Sequence, residues 1–257
     1  MSDQPLVLVN ADNQTALAAP DPDRPHWGLV AGVAIWLMSL GLPAAIQLPL
    51  LFGEREKLAA GVISPRAVFI SIVTTAVGQI LILVTCWAIV TQFGKRPFLA
   101  TLGWHWGTLS VPMRFAVVIG TIIAAIGASA VFRLILPDNE NTTFIEALKS
   151  SAASKYTIAA LAVITAPLVE EVVYRGVLYS GLRELLAEKP AVILVAVMFT
   201  IVHVPQYSGA WASIAALFVL SFGLTYVRAK TKSILPSFVI HLLFNALGVY
   251  EILTTKF

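Results

Sequence analysis

Ala166-Pro-Leu-Val-Glu-Glu-Val-Val-Tyr-Arg-Gly-Val-Leu-Tyr179 is the stretch on which the reading of this chain turns. It sets Glu170, Glu171 and Arg175 inside an apolar run from about Tyr156 to Leu182. At roughly 1.5 Å per residue, a helix over that run is long enough to cross a bilayer. A carboxylate near the bilayer centre costs about 3 kcal/mol or more, so it persists only where it faces protein or a water-filled cavity and has partners. At about 100° per residue, Glu171 and Arg175 stand one above the other at i and i+4, while Glu170 turns toward a different neighbour. The pattern predicts that Arg175 neutralises Glu171 and leaves Glu170 as the carboxylate free for chemistry.

The composition agrees with a membrane setting. The 257 residues are 58% hydrophobic and only 12% charged, against about 25% charged in soluble chains. This predicts an all-α, polytopic transmembrane helix bundle. The net charge of +3 comes from basic residues scattered through loops with no aromatic-basic stripe. That argues against nucleic acid and makes the lipid bilayer the partner surface. The single cysteine, Cys86, lies inside an apolar run and reads as a small buried hydrophobe, so neither a disulfide framework nor a Cys-based metal site is available.

Outward from the central stretch the sequence divides into about seven spans. Residues 1–26 read as a disordered tail, with Asp3, Asp12, Asp21 and Asp23, several prolines and no apolar core of a signal peptide. Residues 27–257 form one membrane-embedded domain. Its first span is Trp27 to Phe52, in which Pro43 and Pro49 are expected to bend or end the helix. The second is Ala67 to Phe93, where Gln79 reads as an interhelical hydrogen bond, and the third is Val111 to Leu136. The carboxylate span is the fourth, with Pro167 expected to bend it beside a cavity. Pro190 to Tyr207, Ala210 to Val227 and Ser233 to Leu253 follow, the middle one with only Ser, Thr and Gly as polar content.

Two connections read as interfacial amphipathic segments. Gly94 to Ser110 carries Lys95, Arg96, Trp104 and Trp106, with His105 as a wet interfacial residue. Pro137 to Lys155 contains Thr143-Phe-Ile-Glu146, which has the form of a capping box and predicts a short surface helix. Arg24, Lys95, Arg96, Arg183, Lys189, Arg228, Lys230 and Lys232 outnumber the basic residues of the opposite loops, which places the amino terminus inside and the protein, by expectation, in the cell membrane.

Of the four histidines, His203 and His241 lie deep in apolar runs. Each shares a helical face with a residue four positions away, Phe199 with His203 and His241 with Asn245. Glu170, His203, His241 and Asn245 all fall in the middle half of their spans and can meet at one depth. The chemistry that suits them is water activation. Glu170 is the candidate general base and His203 the candidate holder of the water, while His241 and the Asn245 amide offer donors for an oxyanion. No His-Glu-x-x-His occurs, no aspartate lies in a span, and no Gly-x-Ser-x-Gly marks a serine nucleophile. No metal or cofactor is therefore expected. Three alternatives stay open on the residues alone: structural polar glue between helices; a zinc-dependent membrane protease with Glu170, His203 and His241 as ligands; and a non-proteolytic immunity or scaffold protein, or a proton-coupled carrier using Glu170 as a relay.

Glu-Glu-x-x-x-Arg at 170–175, Phe-x-x-x-His at 199–203 and His-x-x-x-Asn at 241–245, in that order on late spans, resemble the CPBP (Abi) family of intramembrane glutamic endopeptidases. That family includes type II CAAX prenyl proteases and bacteriocin-processing or immunity proteins. The resemblance covers about residues 156–250. It implies that Glu170 and His203 bind the attacking water, that His241 and Asn245 form the oxyanion site, and that Glu171 and Arg175, with Phe199, support them. It further implies a peptide or lipidated protein in the membrane as substrate.

Overall fold

The computed structural model describes residues 21–137, 142–149 and 151–254. The long helices are α1 (Gly28–Leu51), α2 (Pro65–Thr91), α3 (Val111–Ile135), α4 (Ala152–Leu182), α5 (Glu188–His203), α6 (Trp211–Thr231) and α7 (Ile234–Thr254). Helix α1 runs on through short turns to Ala59. Among the described residues six helices are long and apolar enough to cross a membrane, α5 being the exception, so the expected count of about seven is corrected to six. With 16 residues, α5 is about 24 Å long at 1.5 Å per residue, short of an apolar core of about 30 Å. It stops at His203, and the chain turns through residues 204–209, past Pro205 and a left-handed Gly209, into α6.

Helices α1 and α2 pack together on one side of α4, while α3, α5, α6 and α7 complete the other. The second half of α4 is fully enclosed, with residues 171–182 wholly buried. Small residues permit this enclosure. A Cβ at Gly181 would come within 2.7 Å of the Gly28 carbonyl and 3.4 Å of Gly32 Cα, so α1 crosses α4 at backbone contact. Gly181→Val is expected to destabilise the protein by about 1–3 kcal/mol through overpacking, read as a lower unfolding temperature in detergent. An unchanged temperature would contradict this packing.

Pro43 and Pro49 lie inside α1 without ending it. Pro43 is seated on Gly78 of α2, where an added Cβ would meet its ring at 3.1 Å. At the start of α2, Ser64 caps the helix by accepting a bond from the Ala67 N–H at 3.1 Å, with Pro65 in the first turn. The short surface helix Thr143–Lys149 is present, but its cap is Thr142. Thr142 Oγ1 accepts from Ile145 N at 3.4 Å, one residue earlier than the expected box. His105 is exposed, as expected, and its Nδ1 accepts from the Gly107 N–H at 2.9 Å.

Most of the expected tail, residues 1–20, lies outside the described residues. Its last residues are bound to the bundle. Asp23 pairs with Arg228 at 2.9 Å, the Pro22 carbonyl accepts from Arg228 Nη2 at 3.1 Å, and Trp27 Nε1 donates to the Val177 carbonyl at 3.2 Å. Gln79 accepts from Thr165 Oγ1 at 2.8 Å and so ties α2 to α4 by the interhelical bond expected of it.

Candidate active site

Helix α4 is not a regular α-helix. Leu161–Thr165 and Glu171–Leu178 are π-helical, on either side of the turn Ala166–Glu170, and single π turns of this kind recur at functional sites. The first has a cause in the sequence. Within it the Ala166 N–H bonds to the Leu161 carbonyl, five residues back. The next donor in that register would serve the Ala162 carbonyl, but it belongs to Pro167, which has no N–H. Asn245 fills the gap, its Nδ2 donating to the Ala162 carbonyl at 2.9 Å. Asn245→Ala is therefore expected to cost about 1–2 kcal/mol more in the wild type than in a Pro167→Ala background, where a backbone N–H is restored. Equal losses of unfolding temperature in the two backgrounds would contradict it.

The glutamates divide as their spacing predicts. Glu171 and Arg175 are both fully buried, and Arg175 Nη1 donates to Glu171 Oε1 at 3.0 Å. The same oxygen lies 2.9 Å from His241 Nδ1 on α7. Glu170 is partly open, with a side-chain exposure of 24%. Its two oxygens face the two deep imidazoles, Oε1 at 3.9 Å from His203 Nε2 and Oε2 at 3.6 Å from His241 Nε2. Both gaps are longer than hydrogen bonds.

The partners of the ring nitrogens fix their hydrogens. His203 Nδ1 lies 2.7 Å from the Phe199 carbonyl, which can only accept, so Nδ1 carries a proton and Nε2 is the nitrogen turned toward Glu170. Likewise the Glu171 carboxylate holds the proton of His241 at Nδ1. Phe199 is the post around which these groups stand. Its ring centre is 4.4 Å from that of His203, 6.0 Å from His241 and 5.0 Å from Tyr174, and the Arg175 guanidinium lies 4.7 Å from it. The structure thus brings Glu170, Glu171, Arg175, Phe199, His203 and His241 into one cluster. Asn245 lies one turn beyond His241 on α7 and is joined to α4 through Ala162.

Three neighbours escaped the sequence reading. Ser221 and Thr225 of α6 bind Arg175. Tyr207 follows His203 by one turn, its N–H on the His203 carbonyl at 3.1 Å. Burial pushes the Tyr207 phenol up to about 12, with the Glu170 carboxylate adding to the shift, so the hydroxyl keeps its proton at working pH. The i+4 spacing of Tyr207 from His203 was the available signal. Among the described residues no three His, Cys, Asp or Glu side chains are grouped so as to hold a metal ion.

The model of one family, described as Type II CAAX prenyl endopeptidase Rce1-like, matches residues 152–247. The match runs from the start of α4 into α7 and takes in Glu170, Glu171, Arg175, Phe199, His203, His241 and Asn245. No curated protein and no solved structure matches the chain. Over residues 152–247 the chain is similar to the CAAX-protease-like family, and its apolar spanning helices make it an integral multi-pass membrane protein.

Proposed function

We propose that this protein is an intramembrane endopeptidase that hydrolyses a peptide bond in a membrane-associated or lipidated peptide or protein, using water activated by Glu170 and His203. The observation that carries this reading is the 3.9 Å gap between Glu170 Oε1 and His203 Nε2, with Nδ1 of the same ring turned away to the Phe199 carbonyl. Two acceptors at that separation suit one water that donates a hydrogen to each.

In this scheme Glu170 takes one proton from the water, and the oxygen adds to the scissile carbonyl. The developing oxyanion accepts hydrogen bonds from His241 Nε2–H and from the Asn245 amide hydrogen not used by Ala162. His241 then has to be an imidazolium, with its Nδ1–H on Glu171. With Glu170 protonated, the charges of Glu171, Arg175 and His241 then sum to +1 and offset that of the oxyanion. As the tetrahedral adduct collapses, Glu170 returns the proton to the departing amine, so the site ends as it began. Phe199 packs against both rings, tilted by 31° to that of His203 and by 72° to that of His241.

The test uses the purified full chain in liposomes with farnesylated and unlipidated versions of one peptide, with and without a strong chelator. Cleavage that survives the chelator supports the scheme. Loss of cleavage restored by stoichiometric zinc supports the zinc-dependent alternative instead. Tight binding of the lipidated peptide with no cleavage supports a scaffold.

A further inference from the structure

We infer that Ser221 and Thr225 of α6 are positioning residues for the reaction, holding Arg175 so that Glu171 fixes the His241 ring. The inference rests on the protease reading of the site and adds a helix that contributes no group to the chemistry itself. Ser221 and Thr225 stand at i and i+4, on one face of α6, and both are fully buried.

Arg175 donates to them three times. Its Nη2 bonds to Ser221 Oγ at 2.7 Å and to the Ser221 carbonyl at 3.2 Å, and its Nε bonds to Thr225 Oγ1 at 3.2 Å. The Thr225 hydroxyl gives its own hydrogen to the Ser221 carbonyl at 2.8 Å, which turns a lone pair toward the guanidinium. A planar guanidinium bound on two edges cannot rotate without breaking these bonds. Its Nη1 donates to Glu171 Oε1, the atom that also holds His241 Nδ1. Glu171 Oε1 is thus held between Arg175 and His241, with Ser237 of α7 also against the carboxyl. From α6 the constraint runs through Arg175 and Glu171 to the ring whose Nε2 lies 3.6 Å from Glu170.

Hydrophobic contact alone would be served as well by Ala and Val, and that difference is what the experiment reads. In the full chain in liposomes, the Ser221→Ala/Thr225→Val pair is expected to lower kcat for peptide cleavage by about 10- to 100-fold, the scale that a misplacement of about 1 Å at a reacting group can cost. KM should stay within about twofold, since no substrate contact is lost. The hydroxyl-keeping pair Ser221→Thr/Thr225→Ser should restore most of the loss. A second readout needs no turnover. In protein labelled at its four histidines, the 15N signal of His241 Nδ1 should be that of a hydrogen-bonded N–H in the wild type and in the hydroxyl-keeping pair. It should shift in the Ala/Val pair.

An unchanged kcat in a folded Ala/Val pair, a loss that the hydroxyl-keeping pair fails to repair, or an unmoved His241 signal overturns the inference. If the double variant does not fold, Thr225→Val alone is read in the same two ways. If the wild type cleaves nothing, the protease reading fails, and the His241 signal still decides whether α6 orients that ring.

Discussion

Glu170→Gln should leave a folded protein whose rate of peptide-bond cleavage falls by about 10²- to 10⁴-fold, the range that a positioned general base contributes. The amide keeps the shape of the carboxylate but cannot accept the proton of a bound water. Stability should change little, because Glu170 is partly exposed and its contacts with His203 and His241, at 3.9 and 3.6 Å, are too long to be hydrogen bonds. His203→Ala should produce a loss of similar order, and the double variant should lose little beyond either single one, since the two groups act on one water. Initial rates in liposomes and unfolding temperatures in detergent, measured on the same preparations, check both halves. A Glu170→Gln protein that cleaves at the wild-type rate would remove the base from the scheme, and one that fails to fold would make Glu170 a structural residue.

Arg175→Leu should be damaging in a different way. Both members of the Glu171–Arg175 pair are fully buried, and removing one partner of such a pair strands the other charge at a cost of about 3–5 kcal/mol. Here the stranded Glu171 also holds His241, so ring placement and stability fail together. Replacing both residues by Leu should recover part of the stability, because no lone charge is left inside, yet it should not recover cleavage. A variant series read by unfolding temperature should rank wild type first, the double second and Arg175→Leu last. A single variant as stable as the wild type would mean that water reaches Glu171 and that the pair is not the sealed contact described here.

The residues of this site could be gathered from the sequence because each is out of place in an apolar run. Glu170, His203 and His241 persist in spans only with partners, and i, i+4 spacing was enough to assign Arg175 to Glu171. What the sequence concealed depends on geometry rather than on residue type. At the first π-helical turn of α4, Pro167 withholds a donor and Asn245 on a distant helix supplies one, and hydrophobic periodicity carries no mark of such an exchange. The Asn245 amide was read only as an oxyanion donor, whereas one of its hydrogens goes to the Ala162 carbonyl. Ser221 and Thr225 looked like the ordinary small polar residues of a membrane helix, because the face they share becomes meaningful only once Arg175 lies against it.

The span count was overestimated because the apolar run beginning at Pro190 continues in composition past the point where the backbone stops being helical, at His203. Hydropathy measures length of chain, whereas crossing requires length of helix. The capping signal had the same limit. Three consecutive polar residues, Asn141, Thr142 and Thr143, offer alternative caps, and Thr142 accepts from the Ile145 N–H.

The central claim is that side chains which lipid would reject have been drawn from three helices into one wet cluster that cuts a peptide bond. Its most direct test compares the new peptide amino termini in membranes carrying the wild type with those carrying Glu170→Ala or His203→Ala at equal protein level. The account predicts a set of termini that appears with the wild type and is absent with both variants. Termini identical in all three membranes, or lost with one variant and retained with the other, would contradict a reaction centre shared by the two residues.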